Sequence, residues 1–162
     1  MGSFPVTLVA SEPFPGPIER SWRLVAEMNL TEVSKPWGLI PGVVDIRDTD
    51  PGFPGPGLSR VFVNSDGSTA VETMVRFEEP RLIEYTITDL SNMFRFITSG
   101  AEASFALAPI DDDATEVTWT YTWQARGIWA WPLLWLTSNL GFRRYMAAML
   151  HRMSIATPPA DR

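Results

Sequence analysis

The 162 residues include no cysteine and a single histidine. The missing cysteines exclude a disulfide scaffold and a thiolate site. With one histidine besides, no ligand set for zinc remains, and no metal or cofactor is implied. No stretch is apolar for long enough to span a bilayer. The one candidate, Trp131 to Met153, is broken by Pro132, Asn139 and the pair Arg143-Arg144, so stable membrane insertion is excluded. The same stretch is too short, and too irregular at its start, for a coiled coil. No basic region followed by an apolar run opens the chain, so a cytoplasmic location is the expectation. Nucleophile-elbow and calcium-loop patterns are missing too, since Asp111-Asp112-Asp113 lacks spaced ligands and a glycine. Basic residues are outnumbered 13 to 19, for a net charge of -6. That balance argues against nucleic acid as a partner and against electrostatic docking on anionic lipid.

What is present is apolar. Hydrophobic residues make up 45% and aromatics 12%, enough for one domain with a real core. The expected domain is 1–155, with a polar tail over 156–162. The organising stretch is the C-terminal one. Trp135, Phe142, Met149, Leu150 and Met153 share a helix face with Met146, and Asn139 sits on the same stripe. His151 falls away from it, as a solvated surface histidine.

Nearly everything before reads as strand. Val6–Ala10 is a first strand, stopped by the breaker cluster Ser11 to Pro17. Ile18–Glu27 is a short helix, and Asn29–Ser34 a second, with Thr31 as its cap. Val43–Arg47 is a strand and Asp48–Gly57 an exposed Pro/Gly loop. Leu58–Asn64 and Thr69–Phe77 form a hairpin around Ser65-Asp66-Gly67. Leu82–Asp89 follows, then one long strand over Phe94–Ala108 with a bulge at Gly100. In Thr115–Arg126, Val117, Trp119, Tyr121 and Trp123 alternate with threonines, the pattern of a half-buried antiparallel strand. Short turns between consecutive strands predict an antiparallel sheet, and the long helix must lie against it. The fold class is therefore α+β: a seven-stranded curved sheet gripping a C-terminal helix, with two short helices after the first strand.

This order resembles the helix-grip superfamily of the birch-pollen allergen, START lipid-transfer domains and polyketide cyclase/dehydrases (SRPBCC). The runs that carry the likeness are Ile18-Glu19-Arg20-Ser21-Trp22, Pro41-Gly42-Val43-Val44-Asp45 and Gly57-Leu58-Ser59-Arg60. Asp66-Gly67, Glu72, Pro80-Arg81, Tyr85 and Thr115-Glu116-Val117-Thr118-Trp119 extend it, over roughly residues 4 to 153. The departure is the tryptophan-rich lead-in to the helix, Ile128 to Trp135.

The resemblance implies a cavity between sheet and helix that holds a hydrophobic small molecule, lipid-, isoprenoid- or polyketide-like. Candidate lining residues are Trp119, Tyr121, Trp123, Tyr85, Trp135, Asn139, Phe142, Met146 and Met149. The alternative is a cofactor-free cyclase, dehydratase or isomerase. In a plant enzyme of this superfamily, an arginine and a glutamate in similar order form the functional pair. Carried over, Glu72 would move a proton and Arg60 would hold an oxygen. The hairpin loop sets Arg60 opposite Glu72. Which face they share stays open: alternation makes Val71, Thr73, Val75 and Phe77 the apolar face and puts the pair outside, whereas the resemblance puts it inside. A third use is interaction, as a homodimer or an interfacial contact through Trp129–Trp135.

Overall fold

The computed structural model describes residues 2–159, so residues 160–162 of the expected tail lie outside the described residues. Seven strands form one antiparallel sheet in the order β1-β7-β6-β5-β4-β3-β2. They are β1 (Pro5–Pro15), β2 (Val43–Arg47), β3 (Ser59–Asn64), β4 (Thr69–Glu78), β5 (Leu82–Thr88), β6 (Thr98–Asp111) and β7 (Ala114–Ala125). Helices α1 (Ile18–Ala26) and α2 (Leu30–Val33) carry the chain from one sheet edge to the other. A long helix closes the chain: α3 (Trp131–Thr137), a π-helical segment over Ser138–Phe142, and α4 (Arg143–Ile155). This is the expected helix-grip architecture.

Several boundaries differ from expectation, each for a local reason. β1 runs on through Pro13 to Pro15, paired with β7 throughout. It is an edge strand, so a proline nitrogen can face outward without breaking a ladder hydrogen bond. The cap of α2 is Asn29, whose side chain accepts from the backbone N–H of Thr31. Residues Met93–Phe96 form a 3-10 turn capped by Asn92, so β6 begins only at Thr98. The bulge at Gly100 is present, with φ 142°, a backbone region that favours glycine.

The core lies between the inner face of the sheet and the long helix. Trp22, Trp119 and Met146 are buried in it, and α4 packs along β1. On α4 the buried set is Tyr145, Met146, Met149, Leu150 and Met153, so this half of the stripe faces inward as expected. The α3 half does not. The π segment adds a residue to its turn and rotates everything upstream by about 100°. Leu134 and Ser138 are buried, and Trp135 is 46% exposed.

Candidate functional site

A cavity of about 150 Å³ lies between the sheet and the helix. Strand alternation builds its floor: Ala70, Glu72 and Met74 on β4, Ile83, Tyr85 and Ile87 on β5, and Trp119, Tyr121 and Trp123 on β7 share the inner face. Leu134, Thr137, Ser138, Phe142, Tyr145 and Met149 form the roof. Val25, Ala26, Leu30 and Ser34 close one side. Phe53 and Pro54 reach in from the 48–58 loop, which is therefore not wholly exposed as expected.

Aromatic rings fix the wall. Tyr121 meets Phe142 edge-on at 4.7 Å between ring centroids, and Phe105 stacks on Trp119 at 5.0 Å. Such pairs add about 0.5–1.5 kcal/mol each beyond burial. The Trp119 indole Nε1 donates to the Tyr85 hydroxyl at 2.9 Å. The hydroxyls of Tyr145 and Ser34 share a hydrogen bond of 2.6 Å, and Ser34 Oγ also accepts from the Val43 N–H at 2.9 Å. Burial pushes the phenols of Tyr85 and Tyr121 well above the usual tyrosine value and raises that of Tyr145. All three are neutral hydrogen-bonding groups at neutral pH.

The β3–β4 hairpin pairs Arg60 with Glu72 as its loop requires. Both side chains line the cavity, and Arg60 Nε donates to Glu72 Oε2 at 2.5 Å. Only 5% of the Glu72 side chain and 18% of the Arg60 side chain is exposed. The guanidinium carbon stands 4.4 Å from the Phe53 ring centroid and 5.3 Å from that of Phe62, both within cation–π range. Burial raises the Glu72 carboxyl above the ordinary glutamate value, against the opposing charge and hydrogen bond of Arg60. Alternation misplaced this pair because β4 slips its register between Met74 and Arg76. The bulge lets Phe77 share the cavity lining with Glu72 and Met74, although its position is odd and theirs are even.

Polar atoms on the wall are left unclaimed, Glu72 Oε1 and the Tyr121 hydroxyl among them. Neither Glu72 Oε1 nor the Tyr121 hydroxyl has a hydrogen-bond partner among the described residues, and neither is sealed from the cavity. No group of side chains suited to a metal ion occurs among those residues.

Of the residues expected at a ligand site, Trp119, Tyr121, Trp123, Tyr85, Phe142 and Met149 stand on the cavity wall with Arg60 and Glu72. Met146 is buried but outside the lining. Trp135 and Asn139 are turned away by the π segment, and Asn139 instead donates to the Trp135 carbonyl and accepts from Arg143. His151 is at the surface, 2.7 Å from Glu12. The sequence reading missed Ser34, Phe53, Tyr145 and Ser138. Tyr145 carried a signal, three residues after Phe142 and four before Met149. Phe53 was an aromatic in a loop otherwise rich in proline and glycine. Ser34 and Ser138 carried none.

Fold and cavity together define a helix-grip protein with an internal apolar chamber. The sequence matches the family of polyketide cyclase / dehydrase and lipid transport proteins over residues 5–154, and the chain belongs to that family. No curated protein matches it in sequence. Among solved structures, norcoclaurine synthase of Thalictrum flavum, a point mutant bound to a transition-state analogue, is similar at TM-score 0.69 and 10% identity, over 95% of this chain and 94% of that one. Major latex-like protein 151 of Panax ginseng is similar at TM-score 0.69 and 13% identity, over 96% and 99%. The allergen Ara h 8.0201 is similar at 0.60 and 14%, over 92% and 97%. At these identities the likeness is one of fold. No described helix is long and apolar enough to cross a membrane.

Proposed function

We propose that this protein binds a compact, largely apolar small molecule, lipid-, isoprenoid- or polyketide-like, in the cavity between sheet and helix. The observation that carries the reading is the cavity itself, walled by aromatic and aliphatic side chains with a few polar atoms aimed inward. Its volume of about 150 Å³ is below the usual range for ligand pockets, roughly 300–1,000 Å³. That favours a single ring or a short chain over a sterol. Glu72 Oε1 and the Tyr121 hydroxyl would orient the polar end of the guest. An environment-sensitive dye should bind about once per chain and be displaced by such compounds. Ala70→Phe, which fills the cavity from β4, should abolish uptake while leaving the thermal transition in place. Unchanged dye affinity in that variant would place the ligand elsewhere.

A second reading is cofactor-free proton transfer, favoured by the burial of Glu72 beside Arg60. A carboxylate held there can take a proton from a carbon next to a carbonyl, while Arg60 steadies the oxygen that gains charge. Proton NMR of a bound ketone in deuterated water tests it. Deuterium should enter beside the carbonyl, and Glu72→Gln should stop the exchange with affinity retained. Exchange at an equal rate in Glu72→Gln would remove the residue from the chemistry.

A further inference from the structure

The net charge of -6 conceals a division of the chain. Residues 117–160 contain Arg126, Arg143, Arg144 and Arg152 and no aspartate or glutamate. Residues 1–116 hold 18 acidic side chains against 8 basic ones. The acid-free end also carries the largest run of exposed apolar side chains. Ile128, Trp129, Leu133, Trp135, Leu136 and Leu140 are between 45% and 73% exposed. They lie on the turn before α3, on its outer face and on the π segment that follows. Trp131 joins them at 38%, its indole held by a hydrogen bond to the Pro5 carbonyl.

The patch continues across the turn. Trp129 shares a depression with exposed Phe96, and Arg95 and Arg126 stand beside them; Asp89 is the acidic side chain there. At the other end Arg143 and Arg144 are exposed, with Arg144 over the ring of Trp37. Outward tryptophan and leucine flanked by arginine is the composition of a surface lying in a lipid interface: the rings suit the headgroup boundary and the guanidinium groups suit anionic headgroups. A symmetric dimer through this face would press two copies of the same surface together, with no acidic side chain from residues 117–160 to offset Arg143 and Arg144. A negatively charged bilayer complements both the apolar face and the charge.

We propose that the outer face of α3, with the Trp129 turn before it, docks this protein on the surface of an anionic lipid bilayer. The contact is peripheral, because no described helix can cross the membrane. The whole-chain charge argues against anionic lipid, but the charges are segregated, and the local balance at this face is basic. Docking does not depend on what the cavity holds. It does set the roof at the lipid surface, since Leu134, Thr137 and Ser138 line the cavity from the inner side of the same helix.

Vesicle flotation tests the proposal, with the full chain on phosphatidylcholine alone and on an equimolar mixture with phosphatidylglycerol. Binding is expected on the mixture and should weaken as salt is raised. Arg143→Glu with Arg144→Glu should reduce it by about tenfold or more. Trp135→Ser with Leu136→Ser should reduce it as strongly in low salt, with an unchanged melting temperature. If the serine variant fails to fold, the arginine variant carries the test alone. Equal binding to both vesicle types, or binding to neither, overturns the proposal. So does a concentration-dependent dimer that these substitutions dissolve while vesicle binding is absent, which would assign the face to a second copy.

Discussion

Arg60→Met separates the roles of the two charges in the cavity wall. The methionine keeps an apolar side chain beside Phe53 and Phe62 but removes the only side-chain hydrogen bond to Glu72 among the described residues. An ionised carboxylate left without its partner at 5% exposure should cost about 3–5 kcal/mol. Protonation limits that cost, at about 1.4 kcal/mol per unit of pKa. The sign follows from linkage. The Glu72 carboxyl is already raised in the folded state, so it contributes stability that is full below the ordinary value of 4.5 and is lost as pH rises through the folded pKa. Arg60→Met removes both opposing causes, so this loss extends to higher pH. Urea unfolding followed by circular dichroism should show wild type and variant close together near about pH 4 and parted by about 3–5 kcal/mol near about pH 8. Adding Glu72→Leu should return the double variant to within about 1–2 kcal/mol of wild type at either pH. A loss that is the same at every pH, or below about 1 kcal/mol near pH 8, would refute a buried, charge-paired Glu72.

Two further outcomes concern the frame. Leu150 is 1% exposed, and Leu150→Ala should cost about 2–5 kcal/mol in urea unfolding; a cost under about 0.5 kcal/mol would mean that the α4 stripe is not core. Gly100→Ala should destabilise by about 1–3 kcal/mol, because its φ of 142° is strained for a side chain and the added methyl would strike the Ile87 carbonyl oxygen. A variant that melts at or above the wild-type temperature would show that the bulge tolerates a side chain.

Wherever one period held without interruption, the sequence was legible. β7 alternates over its whole length and was placed to within one residue. The β3–β4 register followed from a three-residue loop alone. The misreadings share one cause, an extra residue that shifts the period. On β4 the slip near Val75 reversed which side chains face in, so Glu72 looked external. In the long helix the π turn moved Trp135 and Asn139 off the inner face. Neither insertion alters composition or hydrophobicity, so neither leaves a mark in a pattern count. Ser34 was illegible for another reason. Its partners Tyr145 and Val43 lie 111 and 9 residues away, and a hydroxyl's burial is decided by such partners.

The π turn also bears on why there is room for a guest at all. Were the same residues wound as plain α-helix through 138–142, with none removed, the helix would keep a single phase. Trp135 would then occupy the place Leu134 holds, and Asn139 that of Ser138. An indole in place of an isobutyl group, against a chamber of about 150 Å³, would take up much of its volume. The emptiness inside this protein is therefore governed by how one turn of its longest helix is wound as well as by the side chains around it.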